Sequence, residues 1–137
     1  MKGSFTFSKQ ERLTGKTSID QLFNEGKSFN LFPFKVLYSI VDHPAEPLAR
    51  LLIAIPKRKV KHAVDRNRLR RLVREAYRLN KTEFIACLET KSVHLHFALI
   101  YTAESVDLTY KEVELKIMAC LAKLTKIIGS ESGKGIQ

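Results

Sequence analysis

The sequence predicts one small α+β domain, in which three helices pack on a mixed sheet of about four strands in the order α-β-β-β-α-β-α. Its length of 137 residues is that of a single domain. Its content of 45% hydrophobic and 28% charged residues is typical of globular chains. Apolar residues alternate in some segments and recur at helical spacing in others, so strands and helices share the chain. We expect residues 1–128 to form the domain and residues 129–137 to be a disordered tail.

The first part of the chain predicts one helix followed by strands. Ser18 and Gln21 have the spacing of a capping box and Gly26 is a helix stop, so a helix is predicted over residues 17–25. Alternation of branched or aromatic residues with others then predicts a short strand and two longer ones, at 27–31, 34–41 and 50–56. We expect the two longer strands to run antiparallel to each other.

The second part of the chain predicts a basic helix, a strand and a last helix, at 60–79, 93–102 and 109–128. Thr109 and Glu112 form a capping box at the start of the last helix. Gly129 is predicted to end it, because glycine commonly follows the last turn of a helix.

Charge is concentrated in one segment. The chain holds 24 basic and 14 acidic residues, a net charge of +10. The window 57–78 alone holds ten basic and two acidic residues and nets +8, which leaves +2 for the rest of the chain. A small domain with such an imbalance usually meets a polyanion.

The basic helix is amphipathic. Its apolar residues fall on one side, at Leu69, Leu72, Val73, Ala76 and Leu79. Its basic side carries guanidinium groups and one amide, at Arg66, Asn67, Arg70, Arg71, Arg74 and Arg78, with Arg68 off this arc. A face that serves only solubility would interleave glutamates at a spacing of four, and here few acids are available. Guanidinium groups bind phosphate oxygens in pairs, so the pattern favours nucleic-acid binding over a merely solvated face.

The run 57–78 resembles the signature of the bacterial ribonuclease P protein subunit. The core of this resemblance is Arg66-Asn67-Arg68, then Arg70-Arg71, Arg74-Glu75 and Arg78. Weaker matches stand in the same order as in the family, at 7–13, 23–27 and 36–38. The resemblance spans about residues 5–126.

The resemblance implies a fold like the second domain of ribosomal protein S5, with a left-handed βαβ crossover. It implies a protein that assists a catalytic RNA in removing the 5′ leader of precursor tRNA. The RNA would carry the catalysis with Mg²⁺, and the protein would bind no cofactor and need no protein partner. The implied RNA-binding residues are Lys57, Arg58, Lys59, Lys61, Arg66, Asn67, Arg68, Arg70, Arg71, Arg74 and Arg78. For Lys57–Lys59, phosphate contact and a solvated turn are equally open.

A second surface, a cleft for the leader beside the sheet, is also implied by the resemblance. The candidate residues matched to it are Ile19, Phe23, Val36 and Tyr38. Aromatic rings can stack on the bases of a single strand, and most phenylalanines lie early in the chain, at Phe5, Phe7, Phe23, Phe29, Phe32 and Phe34. The same rings are also ordinary candidates for the core, and both interpretations stay open.

Other functions have less support in the sequence. No apolar run approaches the length of a membrane span, and the first residues contain no signal-peptide core. Cys87 and Cys120 lack metal-ligand spacing, so we expect a reducing, cytoplasmic setting. His94 and His96 alone make a poor metal site. No catalytic constellation is visible, which disfavours a nuclease acting alone. A general basic RNA-binding or ribosome-associated protein is the main alternative.

Overall fold

The computed structural model describes residues 7–41 and 47–135, and Phe5 lies outside these residues. A 3-10 turn at Lys9–Glu11 precedes the regular elements. The helices are α1 (Lys16–Glu25), α2 (Ala63–Asn80), α3 (Thr82–Lys91) and α4 (Tyr110–Gly135). The strands are β1 (Lys27–Leu31), β2 (Phe34–Val41), β3 (Ala49–Ala54) and β4 (His94–Tyr101). The predicted α+β class and the four strands are confirmed.

The sheet has the strand order β1-β2-β4-β3. β1 pairs antiparallel with β2, β2 pairs antiparallel with β4, and β3 pairs parallel with β4. β2 and β3 therefore run in opposite directions, as predicted, but β4 lies between them. β4 takes this central place because nearly all of its residues are buried. A βαβ crossover through α2 and α3 joins β3 to β4, and its left hand stays a prediction.

Helix α3 was not predicted, so the order is α-β-β-β-α-α-β-α with four helices instead of three. α3 buries Phe84 and Leu88, which lie four positions apart on one side of the helix. The helix is only ten residues long, and two buried residues give too short an apolar pattern to recognise in a sequence. It ends at Ser92, which has a left-handed φ of 56°.

The ends of α1 were predicted in part. Gly15, with a φ of 94°, precedes the first residue Lys16, and no side chain caps this end. The capping box of Ser18 and Gln21 was wrong, because both residues lie inside the helix. Gly26 is the predicted stop, and its N–H donates to the carbonyl of Leu22 at 2.8 Å. A Cβ atom on Gly26 would lie 2.4 Å from that same carbonyl oxygen, so the close approach requires glycine here.

The start of α4 was predicted correctly and its end was wrong. The N–H of Thr109 donates to Glu112 at 2.8 Å and the N–H of Glu112 donates to Thr109 at 3.2 Å, so the capping box forms. The helix then passes through Gly129, the predicted stop, to Gly135, whereas the disordered tail over 129–137 stays a prediction. A glycine inside a helix costs only about 1 kcal/mol, which does not end a helix by itself. The domain boundary at residue 128 stays a prediction.

The sheet buries apolar residues on both faces. On one face the sheet packs against α2, α3 and α4, and the largest buried rings of the chain lie there, at Phe34, Tyr77, Phe84, Phe97 and Tyr101. The ring of Phe97 lies at the centre, 5.8 Å from Tyr77 and 5.4 Å from Phe84, in edge-to-face contacts. On the other face, α1 covers a smaller cluster of Leu13, Leu22, Leu37 and Ala98.

Replacing Gly26 by alanine should destabilise the domain by about 1–3 kcal/mol, because the added methyl group is forced against the backbone of Leu22. Gly129→Ala is the matched control, since a Cβ atom there meets nothing within 4 Å. This control should stabilise α4 by about 0.5–1 kcal/mol. Urea unfolding followed by circular dichroism measures both changes. An equal free energy of unfolding for Gly26→Ala and the wild type would contradict the close approach.

Candidate nucleic-acid interface

The two faces of α2 are formed as the sequence predicts, with two differences at the apolar face. Leu69, Val73 and Ala76 are buried against the sheet, and Tyr77 joins them. Leu79 is 39% exposed, because the chain turns into α3 directly after α2. Tyr77 was missed because tyrosine carries a polar hydroxyl group and was not counted among the apolar residues of the helix. Burial of this face fixes which side chains α2 presents to solvent.

The arginine residues of α2 divide into groups with different partners. Among the side chains that the structure describes, in residues 7–41 and 47–130, no carboxylate forms an ion pair with Arg66, Arg70, Arg71 or Arg74. Arg71 is exposed and the other three are half-buried. Their charges are therefore not neutralised by the described part of the protein.

Arg66 and Arg70 are oriented by neutral acceptors. The Nη1 atom of Arg66 donates to the carbonyls of Val60 and Lys61, each at 2.9 Å. Arg66 thus holds the loop that leads into α2. The Nη1 atom of Arg70 donates to the Oδ1 atom of Asn67 at 3.2 Å. Both guanidinium groups keep further N–H donors for a ligand, since each group carries five.

Arg68 has an internal role and does not belong to the exposed arginine face. It donates from Nη1 to the carbonyl of Val106 at 2.9 Å and from Nη2 to the carbonyl of Leu108 at 2.6 Å. These bonds hold the segment between β4 and α4 against α2. Its position off the arginine arc was the available signal. The predicted contact of Arg68 with RNA is not supported by this placement.

Arg78 is paired with Glu75. Its Nε and Nη2 atoms donate to the two carboxylate oxygens of Glu75, at 3.2 Å and 2.6 Å. The hydrogen bond from Arg78 lowers the pKa of Glu75, and the same bond raises the pKa of Arg78. The unpaired part of the arginine face therefore ends at Arg74.

The loop before α2 adds basic side chains to the start of this helix. Its backbone turns at Pro56, whose carbonyl accepts from the N–H groups of Lys59 and Val60 at 3.1 Å and 3.0 Å. The buried side chain of Val60 anchors the turn. A surface hollow of about 360 Å³ follows, lined by Arg58, Lys59, Val60, Lys61, His62, Asp65, Glu104 and Val106. Lys57, Arg58 and Lys61 are exposed, which is compatible with both interpretations of this loop.

A second concave surface lies between the amino-terminal segment, β3 and α2. We call it the three-arginine groove, with a volume of about 210 Å³ and lined by Phe7, Arg12, Leu13, Thr14, Leu51, Leu52, Ile53, Arg70 and Arg74. Arg12 was not predicted as a site residue. Its signal in the sequence lies in the segment 7–13, which resembles the amino-terminal segment of the family.

The predicted leader-cleft residues do not come together. Val36 is fully buried and Tyr38 nearly so, both on the face that packs against α2–α4. Ile19 packs into the cluster on the opposite face, and Phe23 is 49% exposed. Alternation along β2 places Val36 in the core, so its predicted contact with a leader is not supported. Tyr38 lines a hollow of about 90 Å³ with Glu25, Lys27, Ser39 and Ile40.

The other aromatic residues divide between core and surface. Phe34 is core, whereas Phe32 is 70% exposed. Phe29 is half-buried, lies 6.0 Å from the ring of Tyr38, and has the Nζ atom of Lys123 at 5.3 Å from its ring. Position in the sequence therefore did not separate core rings from exposed ones.

The described ranges hold no group of three or more metal-ligating side chains suited to a metal ion. Cys120 is buried, and this burial raises the pKa of its thiol to about 12. A helix long and apolar enough to cross a lipid bilayer is also missing from residues 7–41 and 47–135.

Comparisons with known proteins agree with one another. The family described as Ribonuclease P matches residues 7–125. The ribonuclease P protein component of Porphyromonas gingivalis is 30% identical over 131 residues, which cover 96% of this chain and 95% of that protein.

Solved structures show the same fold. The RNase P protein of Staphylococcus aureus has a TM-score of 0.65 at 19% identity, covering 85% of this chain and 95% of that one. The RNase P protein of Thermotoga maritima has a TM-score of 0.64 at 25% identity, covering 82% of this chain and 96% of that one.

Replacing Arg68 by alanine should lower the free energy of unfolding by about 2 kcal/mol, because two backbone carbonyls lose a charged donor. Arg71→Ala removes an equal charge from the same helix and is the matched control. It should change stability by less than about 0.5 kcal/mol, since Arg71 is exposed. Denaturant unfolding measures both. Equal stabilities of the two variants would show that the internal bonds of Arg68 contribute nothing.

Proposed function

The chain belongs to the ribonuclease P protein family, and on this premise we propose that it is the protein subunit of a ribonuclease P holoenzyme, binding the catalytic RNA and the 5′ leader of precursor tRNA. In this role it assists the endonucleolytic cut that gives tRNA its mature 5′ end. We expect it to work where precursor tRNA is processed, in the cytoplasm.

The observation that carries the proposal is the unpaired arginine face of α2. Arg70, Arg71 and Arg74 follow one another along the helix without a partner carboxylate in the described residues. A guanidinium group offers two parallel N–H donors that match two phosphate oxygens. The burial of Leu69, Val73, Ala76 and Tyr77 holds this face in one orientation. Such a row suits the regularly spaced phosphates of an RNA backbone.

The loop before α2 extends the same electrostatic surface. Arg58, Lys59 and Lys61 line the hollow that includes His62, the residue that precedes α2. The first N–H groups of a helix have no partner within it, and the helix dipole favours negative charge at this end. These features support phosphate contact by the loop over a merely solvated turn.

Contacts with the leader fall to a smaller set of residues than the sequence predicted. Phe23 offers an exposed ring on α1, and Ile19 lies half-buried beside it on the same helix. Tyr38 lines its hollow together with Lys27 and Ser39. An aromatic ring with a nearby cation is suited to single-stranded RNA without sequence readout.

The chemistry of cleavage is assigned to the RNA subunit. We propose that Mg²⁺ bound by the RNA supplies the hydrolytic step. The protein supplies positive charge and orientation, which strengthen the binding of a polyanionic substrate. The arginine and lysine side chains described above carry no acid–base or nucleophilic arrangement of their own.

Arg71→Ala should weaken binding of ribonuclease P RNA and reduce the slope of log affinity against log salt concentration by about one, because one phosphate contact is lost. Lys91→Ala is the matched control, because it removes one exposed charge at the end of α3, away from the arginine face. This control should leave the slope unchanged. Filter binding over a series of KCl concentrations measures both, and equal slopes in the two variants would argue against the placement of the interface.

The function itself is tested by cleavage. At a low Mg²⁺ concentration, at which the RNA alone is slow, adding the protein should accelerate release of the leader from precursor tRNA. The protein with Mg²⁺ and no RNA should release none. Absence of stimulation with ribonuclease P RNA would refute the proposed function, and cleavage by the protein alone would refute the assignment of catalysis to the RNA.

A further inference from the structure

The three-arginine groove has features that phosphate binding alone does not require. Phosphate contacts need exposed cations, whereas this groove is also lined by the apolar residues Phe7, Leu52 and Ile53, all half-buried. The guanidinium groups of Arg12, Arg70 and Arg74 line the same space of about 210 Å³. A concave site with apolar lining residues and a few cations is suited to a planar, uncharged ring that carries an anionic group.

Arg74 is incompletely satisfied. Its Nε atom is buried and has no acceptor in the described parts of the chain. A buried donor without an acceptor is destabilising, and such groups are rare in native proteins. Because Arg74 lines the groove, the other N–H groups of its guanidinium are placed to donate to the oxygen and nitrogen acceptors of an RNA ligand.

The groove is held in shape before any ligand arrives. The ring of Phe7 stands edge-to-face on Tyr77 at 5.6 Å, and the guanidinium of Arg12 lies 5.7 Å from the centre of the Phe7 ring. The N–H of Leu13 donates to the carbonyl of Leu51 at 2.9 Å. This bond fixes the amino-terminal segment along β3.

An ion pair fixes the same segment at a second point. The Nζ atom of the buried Lys81 contacts the Oε1 atom of Glu11 at 2.6 Å. Because Lys81 directly follows α2, this pair ties the amino-terminal segment to the helix that carries Arg70 and Arg74.

We propose that this groove binds one unstacked nucleotide of RNA, with the base against Phe7, Ile53 and the guanidinium plane of Arg74, and with the adjoining phosphates on Arg12 and Arg70. Stacking on aromatic rings and guanidinium planes is the usual way in which proteins hold splayed bases of RNA. The proposal rests on the proposed function, and the nucleotide comes from the catalytic RNA or from the precursor leader. It adds a base-binding site to an interface otherwise described by phosphate contacts.

The direct test compares a labelled oligouridylate with an oligomer of equal length in which every nucleotide is abasic. Fluorescence anisotropy with the full chain gives the ratio of the two affinities. In the wild type the base-containing oligomer should bind at least about fivefold more tightly, the lower limit for one stacked base. Arg74→Lys keeps the charge and loses the planar group, so this ratio should fall by about the same factor. Phe7→Leu should lower the same ratio, because it removes the aromatic ring.

Lys91→Ala is the control, because it removes an exposed side chain at the end of α3, outside the groove and away from the arginine face. It should leave the ratio at the wild-type value. Equal ratios in the wild type and Arg74→Lys would overturn the proposal, and so would a wild type that binds both oligomers equally. Thermal unfolding shows whether each variant is folded. If Phe7→Leu does not fold, the test rests on Arg74→Lys.

Two further arms identify the source of the nucleotide. A loss by Arg74→Lys in affinity for ribonuclease P RNA assigns the base to the catalytic RNA. A loss only in the preference of the assembled holoenzyme for precursor over leaderless tRNA assigns it to the leader. No loss in either arm overturns the proposal.

Cleavage assays with the wild type separate this proposal from the proposed function. If the wild type stimulates cleavage but binds the two oligomers equally, the proposal for the groove is overturned and the proposed function stands. If Arg74→Lys abolishes the preference for bases but the wild type does not stimulate cleavage, the proposed function is overturned. The groove then stands as an RNA-binding site.

Discussion

The edge-to-face contact of Tyr77 with Phe97 is the interaction on which the interface depends. Phe97 stands in the central strand, and Tyr77 stands on the buried side of α2. Burial raises the pKa of Tyr77, so the ring enters the core as a neutral phenol. Because this contact and its neighbours set the rotation of α2 on the sheet, they decide which arginines reach solvent. Phe7 then packs on the other side of Tyr77 and brings Arg12 to the same edge.

The arginines of one helix have three kinds of environment, although their chemistry is identical. Arg68 bonds to backbone carbonyls across the domain, and Arg78 is neutralised by Glu75 on its own helix. Arg70 and Arg74 meet neither kind of partner and line a groove with apolar residues. A net charge of +10 therefore overstates what the protein offers to a ligand. The effective charge is local, and it depends on tertiary contacts.

The sequence predicted most features that depend on local pattern, with the capping box of Ser18 and Gln21, the stop at Gly129 and helix α3 as the exceptions. The strands, the capping box of Thr109 and Glu112, and the amphipathic α2 all rest on neighbouring residues, and they are present. Features that depend on distant contacts were missed. The second partner of Arg68 lies 40 residues away, and the place of Val36 depends on which face of the sheet the helices cover. The groove was missed for the same reason, because it combines residues from segments far apart in the chain.

The amino-terminal segment and the middle of α4 lie at opposite edges of the sheet. Residues 12 and 13 run along β3, while Lys123 of α4 lies over Phe29 of β1. A bulky fusion placed ahead of residue 7 would therefore stand beside the groove and crowd any RNA there. A fusion at the carboxyl-terminal end of α4 is attached instead to the helix that contacts the opposite edge of the sheet, at β1. For surface immobilisation or a purification handle, the geometry selects that end.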